Sequence, residues 1–534
     1  MALALWSKHV PLRVYGIRNP YRPVCRGFQA QAQGPAPCQQ AGDEFTVFNP
    51  ANGQVLKTIS IPSRDEINAT LSRAHDVFLS GEWSNAPAIT RSRVLSRLAQ
   101  LLNEKLPSLA EIETMQTGRP IREMRTQLAR LPEWLEYFAA MLRTRQGFVA
   151  PTQGKLLNYV QRIPLGVVLQ VTPFNHPLLI ALKKIAPALA AGNSVIVKPS
   201  ELAPLTVLEF AELAREAGVP GDVLSVIPGP GPTIVDAIVS NPIVRKVDIT
   251  AGTCTGRAIG AKVGANLASF TAELGGKAPI LVFNDADITS AVNGAAFSAF
   301  VASGQTCVSG TRIIVQSGVY DEFMSRFLQK VESIGRRMGN PSNPHCSMGS
   351  VISPHHLKRI EDMLARKGNS KVLLGGHRLT GTSTLDGFDF SKGSFLAPTV
   401  INDVDVNHEL WQEEIFGPVV VVKDFQDEQE GVALANSSQY GLGAGIWTKD
   451  LSRAHRVAEN VNAGVVWVNT HHRNDPSSPW GGIKQGSGIG RENGLEAFEA
   501  YTQSKSVVIN TAPPEESRKT DDWFSEGGEG KRYG

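Results

Sequence analysis

Cys307 lies in the segment SGQTCVSGTR, with Gly304 three residues before it and Gly310 three residues after it. Glycines on both sides let the backbone bend sharply and let a ligand come close to the sulfur. In its thiolate form, a cysteine is a strong nucleophile toward a carbonyl carbon. Because free cysteines are often buried, a structural role for Cys307 is the alternative interpretation.

Two further polar residues lie where predicted strands end. Glu273, in AELGGKAP, ends one strand, and Asn175, in VTPFNHP, ends another and opens a helix. Active sites of doubly wound sheets lie beyond the carboxyl ends of the strands. At that edge a glutamate could act as a general base on water, and an asparagine amide could donate to an oxyanion. Taken singly, each residue also fits the cap of a helix.

Segments after three other predicted strands could hold a nucleotide. Lys198 and Glu201 lie in VIVKPSE, where a carboxylate can bind ribose hydroxyls; a surface lysine and a capping glutamate are the alternative. The glycine pairs of PGPG (229 and 231) and AGTCTG (252 and 256) allow phosphates to approach the backbone at a helix N-terminus. Neither pair completes the G-x-G-x-x-G pattern.

Hydrophobic periodicity predicts the elements that position these residues. Between residues 165 and 274, strands at 166–174, 193–200, 222–229, 244–250 and 268–274 alternate with helices at 176–192, 203–218, 232–240 and 255–264. This order predicts an α/β fold with a doubly wound parallel sheet. Helices are predicted before this region at 64–80, 88–115 and 120–145, and a second α/β run is predicted after it, over 279–469.

The net charge of +3 divides unevenly along the chain. Residues 1–42 carry five basic residues and no acidic one, which leaves −2 for the remainder. A nearly neutral body argues against a nucleic-acid partner, and no apolar run approaches the roughly 20 residues of a membrane helix. The basic leader is typical of a mitochondrial transit peptide and predicts the mitochondrial matrix as location. An extension without a targeting role, on a cytoplasmic protein, is the alternative.

The five cysteines are odd in number and sparse, and none forms a CxxC pair. This usage indicates a reducing compartment and argues against a disulfide framework and against a zinc cluster. No metal site is predicted.

The segments KPSE, ELGGK, GQTC and EIFGPV follow one another in this order on an α/β chain. Together they resemble the NAD(P)-dependent aldehyde dehydrogenase superfamily, over about residues 43–510. The glutamate 34 residues before the cysteine also agrees with the family pattern. The resemblance implies a Rossmann-type cofactor domain, an α/β catalytic domain and a small oligomerisation arm.

By this resemblance, Cys307 attacks an aldehyde to form a thiohemiacetal, and hydride transfer to the nicotinamide leaves a thioester. Asn175 and the backbone N–H of Cys307 match the oxyanion hole, and Glu273 matches the base that activates water. Lys184 matches a lysine of the active-site helix. These steps need the thiolate attack, oxyanion stabilisation and water activation that the residue types can supply.

The resemblance also implies an NAD site. The residues expected to form it are Thr172, Phe174, Lys198, Ser200, Glu201, Gly231, Gly252, Thr253, Gly256, Leu274, Glu414 and Phe416, with Phe174 in the place of a family tryptophan. Glu201 favours NAD over NADP, because its carboxylate would repel a ribose 2′-phosphate. The family segment F-T-G-[SG]-T is replaced by Ile-Thr-Ala-Gly-Thr at residues 249–253, which puts details of phosphate contact in doubt.

The aldehyde itself is predicted only as a class. Positions 176, 179, 180 and 183 share one face of the helix after Asn175, and in the family that face lines the substrate tunnel. The expected substrate-contacting residues are His176, Leu179, Lys183, Thr306 and His471. Lys183 suggests a polar or semialdehyde-type substrate whose carboxylate lies near its ammonium group; extension of Lys183 into solvent is the alternative.

The predicted organisation has five parts: a leader (1–42), an NAD-binding domain (43–273, with an arm at about 150–163), a catalytic domain (274–475), a return segment with an oligomerisation strand (476–510) and a polar, disordered tail (511–534). The arm and the last strand imply a homodimer or homotetramer, since edge strands are natural pairing surfaces.

Three other functions remain open. A CoA-acylating semialdehyde dehydrogenase of the same superfamily would resolve the thioester with CoA, but Glu273 favours hydrolysis. A non-catalytic NAD-binding scaffold protein is disfavoured because Cys307 and Glu273 are both present. A Cys-His hydrolase is disfavoured because no histidine motif accompanies Cys307.

Overall fold

The computed structural model describes residues 40–41, 43–520, 522–524 and 526. Its α-helices are α1 Arg64–Ser80, α2 Ala88–Thr117, α3 Ile121–Leu128, α4 Pro132–Thr144, α5 Pro177–Ala191, α6 Leu205–Ala217, α7 Gly231–Val239, α8 Thr253–Ala265, α9 Ile288–Phe300, α10 Tyr320–Arg336, α11 Pro354–Ala365, α12 Glu409–Gln412, α13 Glu428–Asn436, α14 Leu451–Asn460, α15 Gly494–Ala500 and α16 Pro514–Thr520. Its strands are β1 Gln40–Ala41, β2 Glu44–Phe48, β3 Val55–Ser60, β4 Phe148–Ala150, β5 Leu156–Pro164, β6 Val167–Val171, β7 Ser194–Lys198, β8 Leu224–Val226, β9 Val244–Thr250, β10 Ser269–Glu273, β11 Pro279–Val282, β12 Arg312–Gln316, β13 Lys371–Leu374, β14 Thr399–Asn402, β15 Val419–Phe425, β16 Gly443–Trp447, β17 Val465–Val468, β18 Gly488–Ile489 and β19 Thr502–Asn510.

The first large sheet has the strand order β18-β10-β9-β6-β7-β8, in which β6 to β10 are parallel and β18 is antiparallel. Helices cover both of its faces. The side chains of successive β6 residues point to opposite faces, and each face belongs to a different hydrophobic core. Val168 packs with α2, α4, α5 and α6, whereas Val167 and Leu169 pack with α1, α7 and α8. The predicted doubly wound sheet is therefore confirmed, and burial on both faces explains its unbroken apolar runs.

The second large sheet has the order β13-β14-β15-β12-β11-β16-β17 and is parallel except for β13. It too is buried on both faces, since Ile280 and Val282 of β11 enter one core and Leu281 enters another. The predicted second α/β run is this sheet with its helices. Because β10 ends at Glu273 and β11 begins at Pro279, the chain passes directly from the first sheet to the second.

The segments predicted as an arm and a last strand pair with each other. β5 and β19 form an antiparallel pair along nine residues, and β4 adds to the free edge of β5. Phe148 and Val149 of β4 are exposed. Before β19, strand β18 returns to the first sheet, where Gly488 pairs with Glu273 at the edge formed by β10.

The structure also departs from the sequence prediction. The helix predicted over 120–145 is two helices, α3 and α4, because Pro132 lacks an N–H and begins the second one. Strand β3 is exposed at four of its six residues and the edge strand β13 at two of its four, so their apolar periodicity is too weak to be recognised. Within the predicted polar tail, residues 514–520 form α16.

The predicted leader falls almost entirely outside the described residues, which contain only Gln40 and Ala41 of it, so its transit-peptide role stays a prediction. Among the helices that the structure describes, none has the length and apolar character needed to cross a membrane.

Asn193 connects the helix and strands that carry the candidate site residues. Its side-chain oxygen accepts from the amides of Leu165 (2.8 Å) and Gly166 (3.1 Å) just before β6. Its amide donates to the carbonyls of Ala188 in α5 (3.2 Å) and Tyr501 before β19 (2.9 Å). A single buried side chain thus ties the end of α5 to the start of β6 and to the last strand.

We expect Asn193→Ala to destabilise the protein by about 2–4 kcal/mol, because two buried amides and two carbonyls lose their partner. The melting temperature should fall by several degrees in differential scanning fluorimetry. Asn103→Ala, at an exposed position of α2, is the matched control and should leave it unchanged. Equal melting temperatures for both variants would contradict this account of Asn193.

Candidate active site

The chain approaches Cys307 through three successive residues in the left-handed region. Ala302 and Ser303 each have φ of 54°, and Gly304 has φ of 70°. A non-glycine residue in this region costs on the order of 1–3 kcal/mol, so the surrounding contacts must hold it there. Such strain is concentrated at functional sites, and here it lies three to five residues before the candidate nucleophile.

Side chains and backbone from other segments hold this turn. Glu123 of α3 accepts a hydrogen bond from the amide of Ala302 (3.2 Å), and Ser303 donates through Oγ to the carbonyl of Gly349 (3.0 Å). A Cβ atom on Gly304 would lie 2.1 Å from the carbonyl oxygen of Gly417, so only glycine fits. Segments from both halves of the chain therefore hold the loop in this conformation.

Asn175 reaches the same loop from the start of α5. Its amide nitrogen donates to the carbonyl of Gln305 (2.8 Å), two residues before Cys307. Gln305 is fixed in turn, since its side-chain oxygen accepts from the amide of Ile352 (2.9 Å). An asparagine amide has two N–H groups, so Asn175 retains one more donor beside the Cys307 loop.

Glu273, at the end of β10, is a buried carboxyl group with only 2% of its surface exposed. Neither of its oxygens has a hydrogen-bond partner among the described residues. A Cβ atom on Gly481 would lie 2.7 Å from Oε1, which shows how tightly the return segment covers it. Burial, followed by the negative charge of Glu492, raises the pKa of Glu273 well above its ordinary value.

Cys307 is partly buried and packs against Val308, Leu442, Trp467 and Trp480. Burial raises the pKa of its thiol to about 12, and the charges of Glu414 and Glu273 act in the same direction. The ammonium of Lys183 is the cation that opposes them. In this state the thiol keeps its proton at neutral pH, so attack requires a group that takes the proton up.

Two neighbouring lysines of α5 bind one carboxylate. Lys183 contacts Oε2 of Glu492 and Lys184 contacts Oε1, each at 2.6 Å, and Lys184 also binds Asp248 of β9. Burial opposes ionisation of Glu492, yet the two lysines lower its pKa to about 2. Tyr501 completes the cluster by donating to Asp248 (2.6 Å). Lys184 thus holds Glu492 and Asp248 together beneath the site.

The structure contradicts both expectations for Lys183. The residue neither extends into solvent nor offers a free ammonium group to a substrate carboxylate, because its side chain is 4% exposed and bound to Glu492. Its Nζ atom also lies 4.6 Å from the centroid of the Trp480 ring. Sequence reasoning missed Glu492 because its partners lie more than 300 residues away in the chain.

Lys198 and Glu201, which the sequence predicts to bind a ribose, form an ion pair with each other. Lys198, the last residue of β7, donates to Glu201 (2.8 Å), and a Cβ atom on Gly231 at the start of α7 would lie 3.8 Å from its Nζ. Space is open on the side of Gly252, the residue before α8, to which a Cβ atom would point, since no other part of the described chain lies within 4 Å of that position. The Oγ1 atom of Thr172 is buried and has no hydrogen-bond partner in the described part of the chain.

Three of the residues predicted to bind the cofactor also make contacts within the protein. Gly256 makes room for Leu274, since a Cβ atom on it would lie 2.3 Å from the leucine side chain. Thr253 donates to the carbonyl of Gly486 (2.7 Å), and Ser200 accepts from the amide of Leu202 (3.3 Å).

Glu414 and Phe416 close the opposite side of the site. Glu414 accepts from the amide of Gly276 (2.9 Å), and burial raises the pKa of Glu414 to about 7. Phe416 has φ of 57°, and its ring lies 5.7 Å from that of Phe174 and 6.1 Å from that of His356. His356, which sequence reasoning missed, fixes this turn by donating to the Phe416 carbonyl (2.6 Å).

The aldehyde dehydrogenase family profile matches residues 38–507, which is most of the chain. The chain belongs to the aldehyde dehydrogenase family. With its structural neighbours, this match shows an NAD(P)-dependent aldehyde dehydrogenase, and the family predicted from the four sequence segments is confirmed.

Solved structures of the family superpose over nearly the whole enzyme. A structure from Burkholderia cenocepacia has 39% identity and a TM-score of 0.83, covering 88% of this chain and 95% of that chain. Betaine aldehyde dehydrogenase from Staphylococcus aureus in complex with NAD+ has 36% identity and a TM-score of 0.86, with coverages of 90% and 94%. An NAD+ complex of aldehyde dehydrogenase from Bacillus cereus has 34% identity and a TM-score of 0.84, with coverages of 88% and 94%.

The residues expected to contact the aldehyde lie in different surroundings. His176 binds Arg119 of the α2–α3 connection (2.7 Å), and His471 donates to the carbonyl of Val308 beside Cys307 (2.9 Å). Thr306 is buried in the Cys307 loop, whereas Leu179 is half-buried and packs against the helical core of α2 and α4. Within the described residues, no group of three or more His, Cys, Asp or Glu could hold a metal ion.

The effect of the Glu414 charge on the reactivity of Cys307 can be tested. Because this carboxylate raises the pKa of Cys307, Glu414→Gln should increase the thiolate fraction and the rate of Cys307 alkylation by iodoacetamide at pH 8 about threefold or more. Peptide mapping would report the modification of Cys307. Glu413→Gln, which removes the neighbouring carboxylate, is the control with an unchanged rate. A slower reaction in Glu414→Gln would refute the electrostatic role.

Proposed function

We propose that the enzyme oxidises an aldehyde to its carboxylic acid through a thiohemiacetal and a thioester on Cys307, and that water activated by Glu273 hydrolyses the thioester. The observation that carries this proposal is the state of Glu273. Its two oxygens are buried and have no hydrogen-bond partner among the described residues, and its charge acts on the Cys307 thiol. A buried carboxyl group left without partners is a natural base for a water molecule that enters the site.

Attack on the aldehyde places negative charge on the former carbonyl oxygen. Asn175 supports this step, because one of its amide hydrogens is used to bind the Cys307 loop and the other remains available for the oxyanion. The Cys307 backbone N–H is the second proposed donor. A preorganised donor of this kind contributes about 3–4 kcal/mol to transition-state stabilisation.

The charged residues around Cys307 and Glu273 affect how readily these two groups lose a proton. The raised pKa values of Cys307 and Glu273 favour the protonated forms, and Lys183 lowers both. We infer that Glu273 releases its proton to solvent water before it activates the hydrolytic water, since a protonated carboxyl cannot act as a base. Lys183 and Lys184 keep the Glu492 carboxylate ionised, and Glu492 and Lys183 act on the pKa of Glu273 in opposite directions.

NAD, when bound, accepts the hydride that leaves the thiohemiacetal. The residues that would hold it are the pair Lys198–Glu201, the open helix start at Gly252 and the unpartnered hydroxyl of Thr172. Glu414 and Phe416 would position the nicotinamide end. We propose NAD rather than NADP, because Glu201 supplies negative charge where NADP carries its 2′-phosphate. The S. aureus and B. cereus neighbours are NAD+ complexes.

The substrate class must fit the charges that the structure shows. A semialdehyde would place its carboxylate near Lys183, but Glu492 already binds that ammonium group as its ion-pair partner. The structure therefore offers no free cation at Lys183 for an anionic aldehyde. Betaine aldehyde, which gives the S. aureus neighbour its name, would bring a positive charge toward the same ammonium group. We propose an uncharged aldehyde.

The proposal of an oligomer rests on the three-stranded sheet β19-β5-β4. Val508 and Ile509 of β19 and Phe148 and Val149 of β4 are exposed apolar residues on the β19-β5-β4 sheet. We propose that this sheet pairs subunits in a homodimer or homotetramer, since an exposed apolar strand edge invites pairing.

The division of labour between Cys307 and Glu273 can be tested in one experiment. In Glu273→Gln we expect a rapid burst of about one NADH per active site, followed by steady-state turnover at least about 100-fold below wild type, because acylation proceeds and hydrolysis does not. Stopped-flow absorbance with benzaldehyde and NAD measures both phases. Cys307→Ser should abolish burst and turnover together.

Cys254→Ser is the matched control and should retain both phases within about twofold of wild type. An unchanged steady-state rate in Glu273→Gln would contradict hydrolysis by this base. Turnover of the wild type that depends on added CoA would instead identify the CoA-acylating alternative.

Cofactor choice gives a separate prediction. Glu201→Gln should raise kcat/KM for NADP by about tenfold or more relative to that for NAD, because it removes the carboxylate that repels the 2′-phosphate. Initial rates at varied cofactor concentration measure both constants. Glu216→Gln, an exposed change on α6, is the control. A wild-type preference for NADP would overturn the assignment.

A further inference from the structure

A continuous series of aromatic rings leads from Cys307 to the protein surface. Trp467 and Trp480 pack against the Cys307 cluster, and their centroids are 5.9 Å apart. His472 lies 6.4 Å from Trp480 and 6.5 Å from Phe297, whose side chain is 51% exposed. We call these rings, with His176 and His471, the aromatic passage.

The imidazoles of the aromatic passage are uncharged. Arginine can only donate hydrogen bonds, so Nδ1 of His176 must accept from Arg119, and its proton is on Nε2. Burial lowers the pKa of His471 to about 4 and that of His472 to about 3; for His472 the positive charges of Arg119 and Lys183 act in the same direction. Burial is the main cause for His472, and both burial and these two positive charges would also disfavour a cation in its place.

The basic side chains of Arg119 and Lys183 contact rings of the aromatic passage, and each has a carboxylate partner. Arg119 is paired with Glu123 at 3.2 Å, on the side of His176. Lys183 is paired with Glu492 at 2.6 Å, and its Nζ lies 4.6 Å from the centroid of Trp480. The lysine therefore places a fixed positive charge on the ring that also packs against Cys307.

This placement affects ligands of different charge unequally. An aromatic face is the surface on which proteins bind organic cations, and on Trp480 an internal ammonium already uses it. A cationic aldehyde would thus lose the ring face and meet a like charge in a buried, poorly screened environment. An anionic aldehyde would have to compete with Glu492 for Lys183. An uncharged aldehyde meets neither cost and gains apolar contact with the rings.

We propose that Lys183 is a specificity-determining residue: its ammonium group, held on Trp480 by Glu492, makes the aromatic passage reject cationic aldehydes and admit uncharged apolar or aromatic ones. This inference rests on the proposed function, since it assumes that the aldehyde reaches Cys307 along these rings. It adds to the proposed function the residue that selects for uncharged aldehydes and the physical reason for that selection.

Two aldehydes of the same shape isolate the effect of charge. Trimethylammonioacetaldehyde and 3,3-dimethylbutanal differ only in a quaternary nitrogen against a quaternary carbon. For the wild type we expect kcat/KM for the neutral compound to exceed that for the cation by about 100-fold or more. Because intrinsic reactivity also contributes to this ratio, the decisive quantity is how the ratio changes between enzyme variants.

Lys183→Met should lower the ratio by at least about tenfold, because the repelling charge is removed and Glu492 gains negative character toward the passage. Lys183→Arg keeps the charge and should keep the ratio within about threefold of wild type. Effects of either substitution on Cys307 or Glu273 chemistry apply to both aldehydes and cancel in the ratio. An unchanged ratio in Lys183→Met overturns the proposal.

A measurement on the unaltered enzyme covers the case in which Lys183→Met does not fold. Choline and 3,3-dimethylbutan-1-ol are the corresponding alcohols and cannot be attacked by Cys307. As competitive inhibitors against benzaldehyde, the neutral alcohol should have a Ki at least about tenfold below that of choline. Equal Ki values, or a lower one for choline, would overturn the role of Lys183. Failure of the wild type to form NADH from any aldehyde would overturn the proposed function itself.

Discussion

The carboxylate of Glu492, held between the ammonium groups of Lys183 and Lys184, is the interaction on which the rest of the site depends. Its oxygens accept one lysine each, and the lysines lie next to each other near the middle of α5. Since an unpaired buried charge costs several kcal/mol, neither helix nor return segment can move without the other. Asn175 lies just before the start of that helix, and Gly488, which pairs with Glu273, lies four residues before Glu492. The same ion pairs therefore help to position Asn175 and Glu273.

The same charges decide which protonation states the reacting groups adopt. Burial raises the pKa of Cys307 and Glu273, while Lys183 lowers both and Glu492 raises both. A closely balanced set of opposite charges lets one proton or one ligand shift these groups between acid and base. This balance suits a reaction in which a thiol must lose a proton early and a carboxyl must take one from water later. The strained turn at residues 302–304 presents the thiol to that set of charges.

Much of this fold could be predicted from the sequence, because strands buried on both faces are uninterrupted apolar runs and α5 and α6 end at left-handed glycines. Cys307, Glu273 and Asn175 could be found because short segments place them at strand or helix ends. Glu492, Asp248, Arg119 and His356 could not, since their roles come from partners far away in the chain. Lys183 was misjudged for the same reason: helical spacing gives its face but not its buried partner.

The central claim is that Cys307 carries the acyl group and Glu273 releases it. The most direct measurement is mass spectrometry of peptides from Glu273→Gln, quenched with acid shortly after mixing with benzaldehyde and NAD. The account predicts a benzoyl mass increment on the peptide that contains Cys307, which disappears when Cys307→Ser is added. An unmodified Cys307 peptide in a variant that still forms NADH would contradict it.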